Sequence, residues 1–181
     1  MFATAARIAR NVAVPLTIDA EAGYGLEPAD LVAALQNAGA AGCNLEDTNH
    51  GIGGLRDPLQ HAAWLRAVRE AASAQGYGLV INARIDVFLS ADGDAPQADL
   101  VPEALRRAGA YFEAGIDCVY PIFLWEAAAL AAFIPEAGGP VNVLALPRAP
   151  SLGELAELSV ARISYGSLLH SQTIEQLDSV L

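Results

Sequence analysis

The sequence contains no lysine; all ten basic residues are arginine. That excludes a Schiff-base lysine, a pyridoxal-phosphate enzyme and a Walker-type phosphate loop. Any carbanion chemistry would need a metal as its electron sink. Cysteine is nearly absent too. Cys43 and Cys118 form no CxxC pair and lie in apolar, strand-like stretches, so they read as small core residues. No apolar run approaches the length of a membrane span, and MFATAARIAR has no apolar core segment of the signal-peptide kind. A cytoplasmic protein with no membrane partner is expected. Positive charge is scarce: 10 basic against 21 acidic residues give a net charge of −11, which argues against a nucleic-acid backbone as partner. What is abundant is apolar content. At 54% hydrophobic over 181 residues, the chain can bury the core of one domain.

Short apolar runs alternate with stretches of helical periodicity. The runs are Val14–Ile18, Gly42–Asp47, Gly78–Asp86, Asp117–Ile122, Val141–Leu146 and Ala161–Gly166. Helices are expected over 1–11, from Pro28 to Gly39, from Asp57-Pro58 (N-cap and first turn) to Ser73, over 101–114 and 125–134, from the Ser151/Glu154 capping box, and at the C-terminus. In the third, Leu59, Ala63, Val68 and Ala71 supply much of the apolar content. The Asp-, Gly- and Pro-rich segment 91–98 reads as a mobile loop. Six strands alternating with helices imply an α/β fold with a parallel sheet covered by helices. Polar residues gather at the strand C-termini, where such sheets place their sites: Asp19, Glu21, Glu46, Asp47, Arg84 and Asn142. Gly51–Gly54, GIGG, lacks the spacing of a dinucleotide fingerprint.

The first strand runs into Asp19 and Glu21 before breaking at Gly23-Tyr24-Gly25. Residues two apart on a strand share a face. Two carboxylates aimed at one spot repel unless a cation lies between them, and oxygen-only ligands suit Mg²⁺ or Mn²⁺. A solvated acidic turn is the simpler alternative.

DAEAGYG, GAAGCNLED and INARIDVFL, followed in order through ISYGS, together resemble the isocitrate lyase/phosphoenolpyruvate mutase superfamily along nearly the whole chain. The resemblance implies a parallel (β/α) barrel of the TIM type, incomplete here, with about six βα units and the first two missing. It implies Mg²⁺ and a small 2-oxo, 2-hydroxy or phosphono carboxylic acid as substrate, processed through an enolate. By the same resemblance Asp19, Glu21 and Glu46 hold the metal, Arg84 grips the substrate carboxylate with its planar fork, and Asn142 makes a further substrate contact. The alternative for Arg84 is an ion pair with Glu46 or Asp86 inside the barrel.

Three departures bear on activity. The chain seen against the family begins inside its second helix, without another metal-site acid and the oxyanion donors. The loop Thr48–Arg56 has neither the lysine nor the cysteine of the family's lyases, leaving His50 as its one proton-transfer candidate. Ile122 follows Pro121 where several lyases have an acid. Three readings result: a metal-dependent lyase or mutase, an inactive shortened homologue, or an assembly partner whose open barrel is completed by another chain. A homo-oligomer is expected.

Overall fold

Each strand of the protein alternates between two kinds of surroundings, and that alternation builds the fold. The structure, a computed structural model, describes residues 1–90 and 96–180. Six strands, β1 (Thr17–Asp19), β2 (Gly42–Glu46), β3 (Val80–Ile85), β4 (Cys118–Pro121), β5 (Asn142–Leu144) and β6 (Arg162–Ser164), alternate with helices. These are α1 (Phe2–Ala9), α2 (Pro28–Asn37), α3 (Pro58–Ala74), the four-residue α4 (Val87–Ser90), α5 (Gln97–Glu113), α6 (Ala127–Phe133), α7 (Leu152–Glu157) and α8 (Leu168–Asp178). β1 to β4 pair in parallel and in sequence order, as do β5 and β6. A parallel bridge from Val119 to Val141 joins the two groups. The result is the expected incomplete barrel with β1 and β6 as its edges. A hydrogen bond from Arg162 Nη2 to Thr17 Oγ1, 3.3 Å long, spans those edges.

On the outer face Ile18, Cys43, Leu45, Ile81, Ala83, Ile85, Val119 and Val143 are buried against the helices. They meet Leu31 and Leu35 of α2, Leu65 and Val68 of α3, Ala104 and Ala108 of α5, and Leu130 and Phe133 of α6 in one core. Burying one such large side chain contributes about 1.5–3 kcal/mol. The opposite, inner face carries Asp19, Asn44, Glu46, Asn82, Arg84, Tyr120, Asn142 and Ser164, as the register dictates. Gly42 sits where two strands approach closely: a Cβ there would lie 2.7 Å from the Val80 carbonyl oxygen.

The caps expected from sequence are present. Asp57 accepts from the backbone N–H groups of Leu59 and Gln60, and Ser151 and Glu154 form a capping box. Other expectations are corrected. The first strand begins at Thr17, because its ladder starts with the Thr17–Gly42 pairing, and Val14 is exposed instead of buried. On α3 the buried stripe is His61, Leu65, Val68 and Ala72, while Leu59 and Ala63 face solvent. α5 starts four residues early, at Gln97, whose side chain bonds the Phe123 carbonyl and the amides of Trp125 and Glu126. Of the expected mobile loop, residues 91–95 lie outside the described ones. Both cysteines are free and buried as expected, and burial pushes the thiol of Cys43 up to about 12 and that of Cys118 to about 11.

Candidate active site

Arg84 is the hub. It stands on the inner face of β3, directly paired in register with Glu46 on β2 and Tyr120 on β4. Its Nε and Nη2 donate to the two oxygens of Asp86 at 2.6 and 2.9 Å, and Nη2 also pairs with Glu46. Nη1 lies 3.5 Å from Asp19 Oδ2. Burial disfavours the Arg84 charge, but Asp86, Glu46 and Asp19 outweigh it and push the pKa up. Both ion pairs named as the alternative for Arg84 are therefore present. The bidentate edge of its fork is committed to Asp86, so Nη1 is the donor left for a ligand.

The three expected metal ligands are placed differently from one another. Asp19 ends β1 with its side chain half exposed (50%), whereas Glu46 is nearly enclosed (3%). Glu46 gives one oxygen to Arg84 and the other to His50 Nε2 at 2.5 Å. Burial raises its pKa, opposed by Arg84 and His50. Glu21 does not share Asp19's face. The chain leaves the extended conformation after Asp19, and Glu21 adopts a φ of 49°, with its carboxylate accepting from Tyr24 at 3.2 Å. Among the described residues no group of three or more His, Cys, Asp or Glu is arranged to hold a metal. The donor set still fits a hard dication: Mg²⁺ keeps several waters and needs only one or two carboxylates. Asp19, half exposed, is the accessible one; Glu21 accepts from Tyr24, and both oxygens of Glu46 are engaged by Arg84 and His50.

Asp19, Asn44, Tyr120, Asn142, Arg162 and Ser164 line a cavity of about 360 Å³ beside this hub. That is room for a small ligand. The Oδ1 of Asn142 is buried without a hydrogen-bond partner, as is that of Asn82. Sequence reading missed Asn44, Tyr120, Arg162 and Ser164. Their signal was the period of two within GCNLE, CVYP and RIS, which puts each on the polar face.

A second network supports the hub from below. Asp47 is fully buried; its Oδ1 accepts from the Asp86 amide at 2.9 Å, and its Oδ2 accepts from Arg107 at 2.8 Å and Tyr111 at 2.7 Å. Burial raises the Asp47 pKa against those hydrogen bonds. Beside it, His61 stacks on Trp64 and meets the edge of Tyr111, with neither ring nitrogen hydrogen-bonded. Burial, then Arg56 and Arg107, lower its pKa to about 3. An unfolded histidine takes up its proton near pH 6.5, so the unfolded state binds more protons between pH 6.5 and 3. Stability is complete above 6.5 and is lost as pH falls through that window, by about 2 kcal/mol at pH 5. His61→Leu removes that acid penalty and two unsatisfied polar atoms. Urea unfolding at pH 7.5 and 5.0 should show the variant no less stable at 7.5 and gaining about 2 kcal/mol over the wild type at 5.0.

Comparison with known proteins agrees with this fold. Residues 1–181 match the family described as phosphoenolpyruvate phosphomutase. The chain belongs to that family. Within the isocitrate lyase/phosphoenolpyruvate mutase superfamily, it is similar to the crystal structure of a candidate phosphonomutase from Burkholderia cenocepacia. That match has 39% identity and a TM-score of 0.93, covering 99% of this chain and 73% of the other. It is 33% identical over 127 residues to a probable 2-methylisocitrate lyase of Corynebacterium glutamicum, covering 67% of this chain and 39% of that one. A phosphonopyruvate hydrolase solved with oxalate and Mg²⁺ shares the fold at 23% identity and a TM-score of 0.80, over 99% of this chain and 63% of the other. The chain spans about half the length of the curated relatives it matches, 56% of one from Mycobacterium tuberculosis. Among the described residues no helix is long and apolar enough to cross a membrane.

Proposed function

We propose that this family member is a metal-dependent lyase- or phosphonomutase-like enzyme acting on a small 2-oxo, 2-hydroxy or phosphono carboxylic acid through an enolate-type intermediate. The observation that carries the reading is Arg84, held by acids at the carboxyl ends of the strands beside a cavity of about 360 Å³ that Asp19, Asn142 and Arg162 line together with apolar side chains. Asp19, with Glu21 and Glu46, would hold Mg²⁺ or Mn²⁺, which when bound supplies electrostatic stabilisation of developing enolate charge. Arg84 Nη1 and Asn142 orient the acid, and Glu46 and Asp86 fix the guanidinium in place. We place the protein in the cytoplasm as a homo-oligomer: α8 buries none of its residues, leaving Leu169, Ile174 and Leu177 exposed for a second copy.

A non-catalytic carboxylate-binding protein is the second reading. It is favoured by the loop 48–56, which offers His50 but no lysine or cysteine, and by the commitment of Arg84's fork to Asp86. Lacking a positioned general acid or base costs about 10²–10⁴-fold in rate. Release of pyruvate or glyoxylate from isocitrate, 2-methylisocitrate, oxaloacetate and phosphonopyruvate separates the two. Slow, Mg²⁺-dependent release that Asp19→Ala abolishes is expected. Binding of these acids with no release from any of them contradicts the enzyme reading.

A further inference from the structure

The cavity has an apolar side that the proposed chemistry leaves unused. Asp19, Asn44, Asn142 and Arg162 line it from the strands, while Ile122, Phe123, Leu146 and Leu168 line it from the segments beyond the strands' carboxyl ends. A volume of about 360 Å³ is also more than a three-carbon acid occupies, since pockets of that order hold much larger ligands.

Phe123 stands out on this side. Its φ is 63°, in the left-handed region that a bulky residue rarely enters. The turn around it is closed by the Leu124 amide, which donates to the Pro121 carbonyl at 3.1 Å. Glycine would take that turn position without strain, so the phenylalanine is held there against its backbone preference. Such a conformation persists only where the surroundings over-determine it. Here they do. Gln97, 8% exposed on the first turn of α5, donates from Nε2 to the Phe123 carbonyl at 2.7 Å. Its Oε1 accepts from the amides of Trp125 and Glu126, both at 2.9 Å. Trp125 in turn carries the Arg148 guanidinium 4.4 Å from its ring centre, and Arg148 lies two residues beyond Leu146. One buried amide and one cation–π contact thus fix both segments that bring Phe123 and Leu146 to the cavity.

We propose that this apolar side is a binding site for an aliphatic substituent on the acid, with Phe123 as its specificity-determining wall and Gln97 as the positioning residue that holds Phe123 in its turn. The inference rests on the reading of the cavity as the place where the acid binds. It narrows the substrate class to acids that carry a short alkyl chain.

Calorimetric titration of the 181-residue chain in Mg²⁺ with pyruvate, 2-oxobutanoate and 2-oxopentanoate tests it, each variant being checked for a cooperative melt. Each buried methylene tightens binding roughly fourfold, so the wild type should prefer 2-oxopentanoate to pyruvate by about tenfold. Phe123→Ala, and Phe123→Gly with its backbone at ease, should cut that preference to about threefold or less. Gln97→Met keeps the length but neither hydrogen-bonding group and should cut it likewise, while Gln97→Glu keeps the acceptor for both amides and should fall between. The double variant Gln97→Met/Phe123→Ala should lose no more of the preference than either single one, because the two act in series. A wild type that binds pyruvate and 2-oxopentanoate equally, or Phe123 variants that keep the preference, overturns the apolar site and leaves the acid-binding reading standing. Equal weakening of both acids in Gln97→Met, or losses that add in the double variant, overturns the positioning role. A wild-type chain that binds none of the acids overturns both readings.

Discussion

Asp47→Asn should cost about 3–5 kcal/mol of stability, the penalty for breaking a buried ion pair from one side. Asp47 is completely enclosed and satisfies three donors at once: Arg107, Tyr111 and the Asp86 amide. An asparagine keeps a single acceptor and turns an N–H₂ toward groups that are themselves donors. Arg107 would retain Glu103, 2.7 Å away but on the surface, and a screened partner cannot replace an enclosed one. With a total stability of about 5–15 kcal/mol, a large share would be lost. Thermal melts should show a drop of about 6–20 °C for a chain of this size. A shift of only a degree or two would mean that the network is incidental. The effect should also reach the site, because Asp47 bonds the amide of the residue that holds Arg84's fork.

The second large effect concerns Arg84 itself. Removing its guanidinium deletes a charged hydrogen bond to the ligand, worth about 1.5–3 kcal/mol, so Arg84→Ala should weaken carboxylate binding by about ten- to a hundredfold. Glu46 and Asp86 would lose their shared counter-charge, so destabilisation of about 3–5 kcal/mol should accompany it. Arg84→Lys separates the two effects. A lysine keeps the charge between the acids but cannot bond Asp86 with two parallel donors and still reach a ligand. It should melt closer to the wild type than the alanine variant while binding poorly.

What was legible in the sequence was local. The alternation of strands and helices, the caps at Asp57 and Ser151, and the burial of both cysteines follow from patterns spanning a few residues. So does the placement of Asp19, Glu46 and Arg84 at strand ends. What was hidden depends on pairing across distance or on backbone turns. The strand period predicts that Glu21 shares Asp19's face, but the chain leaves the strand in between, and a glutamate at positive φ has no sequence signature. The pairing of Arg84 with Glu46 or Asp86 was among the expectations, but that both form at once depends on the register of β2 against β3, which no local pattern carries. Asp47 and Arg107 are sixty residues apart, a separation that no local pattern bridges. Arg162 was passed over although the period of two within RIS places it on the polar face.

In the proposed function the strand-end site binds a small carboxylic acid through Arg84 together with a divalent cation at Asp19. Titration of oxalate into the wild type and Arg84→Ala, each with and without Mg²⁺, tests it most directly. Wild-type binding should strengthen with Mg²⁺ and weaken by about ten- to a hundredfold in Arg84→Ala. Oxalate binding indifferent to Mg²⁺ and equal in the two proteins would contradict it.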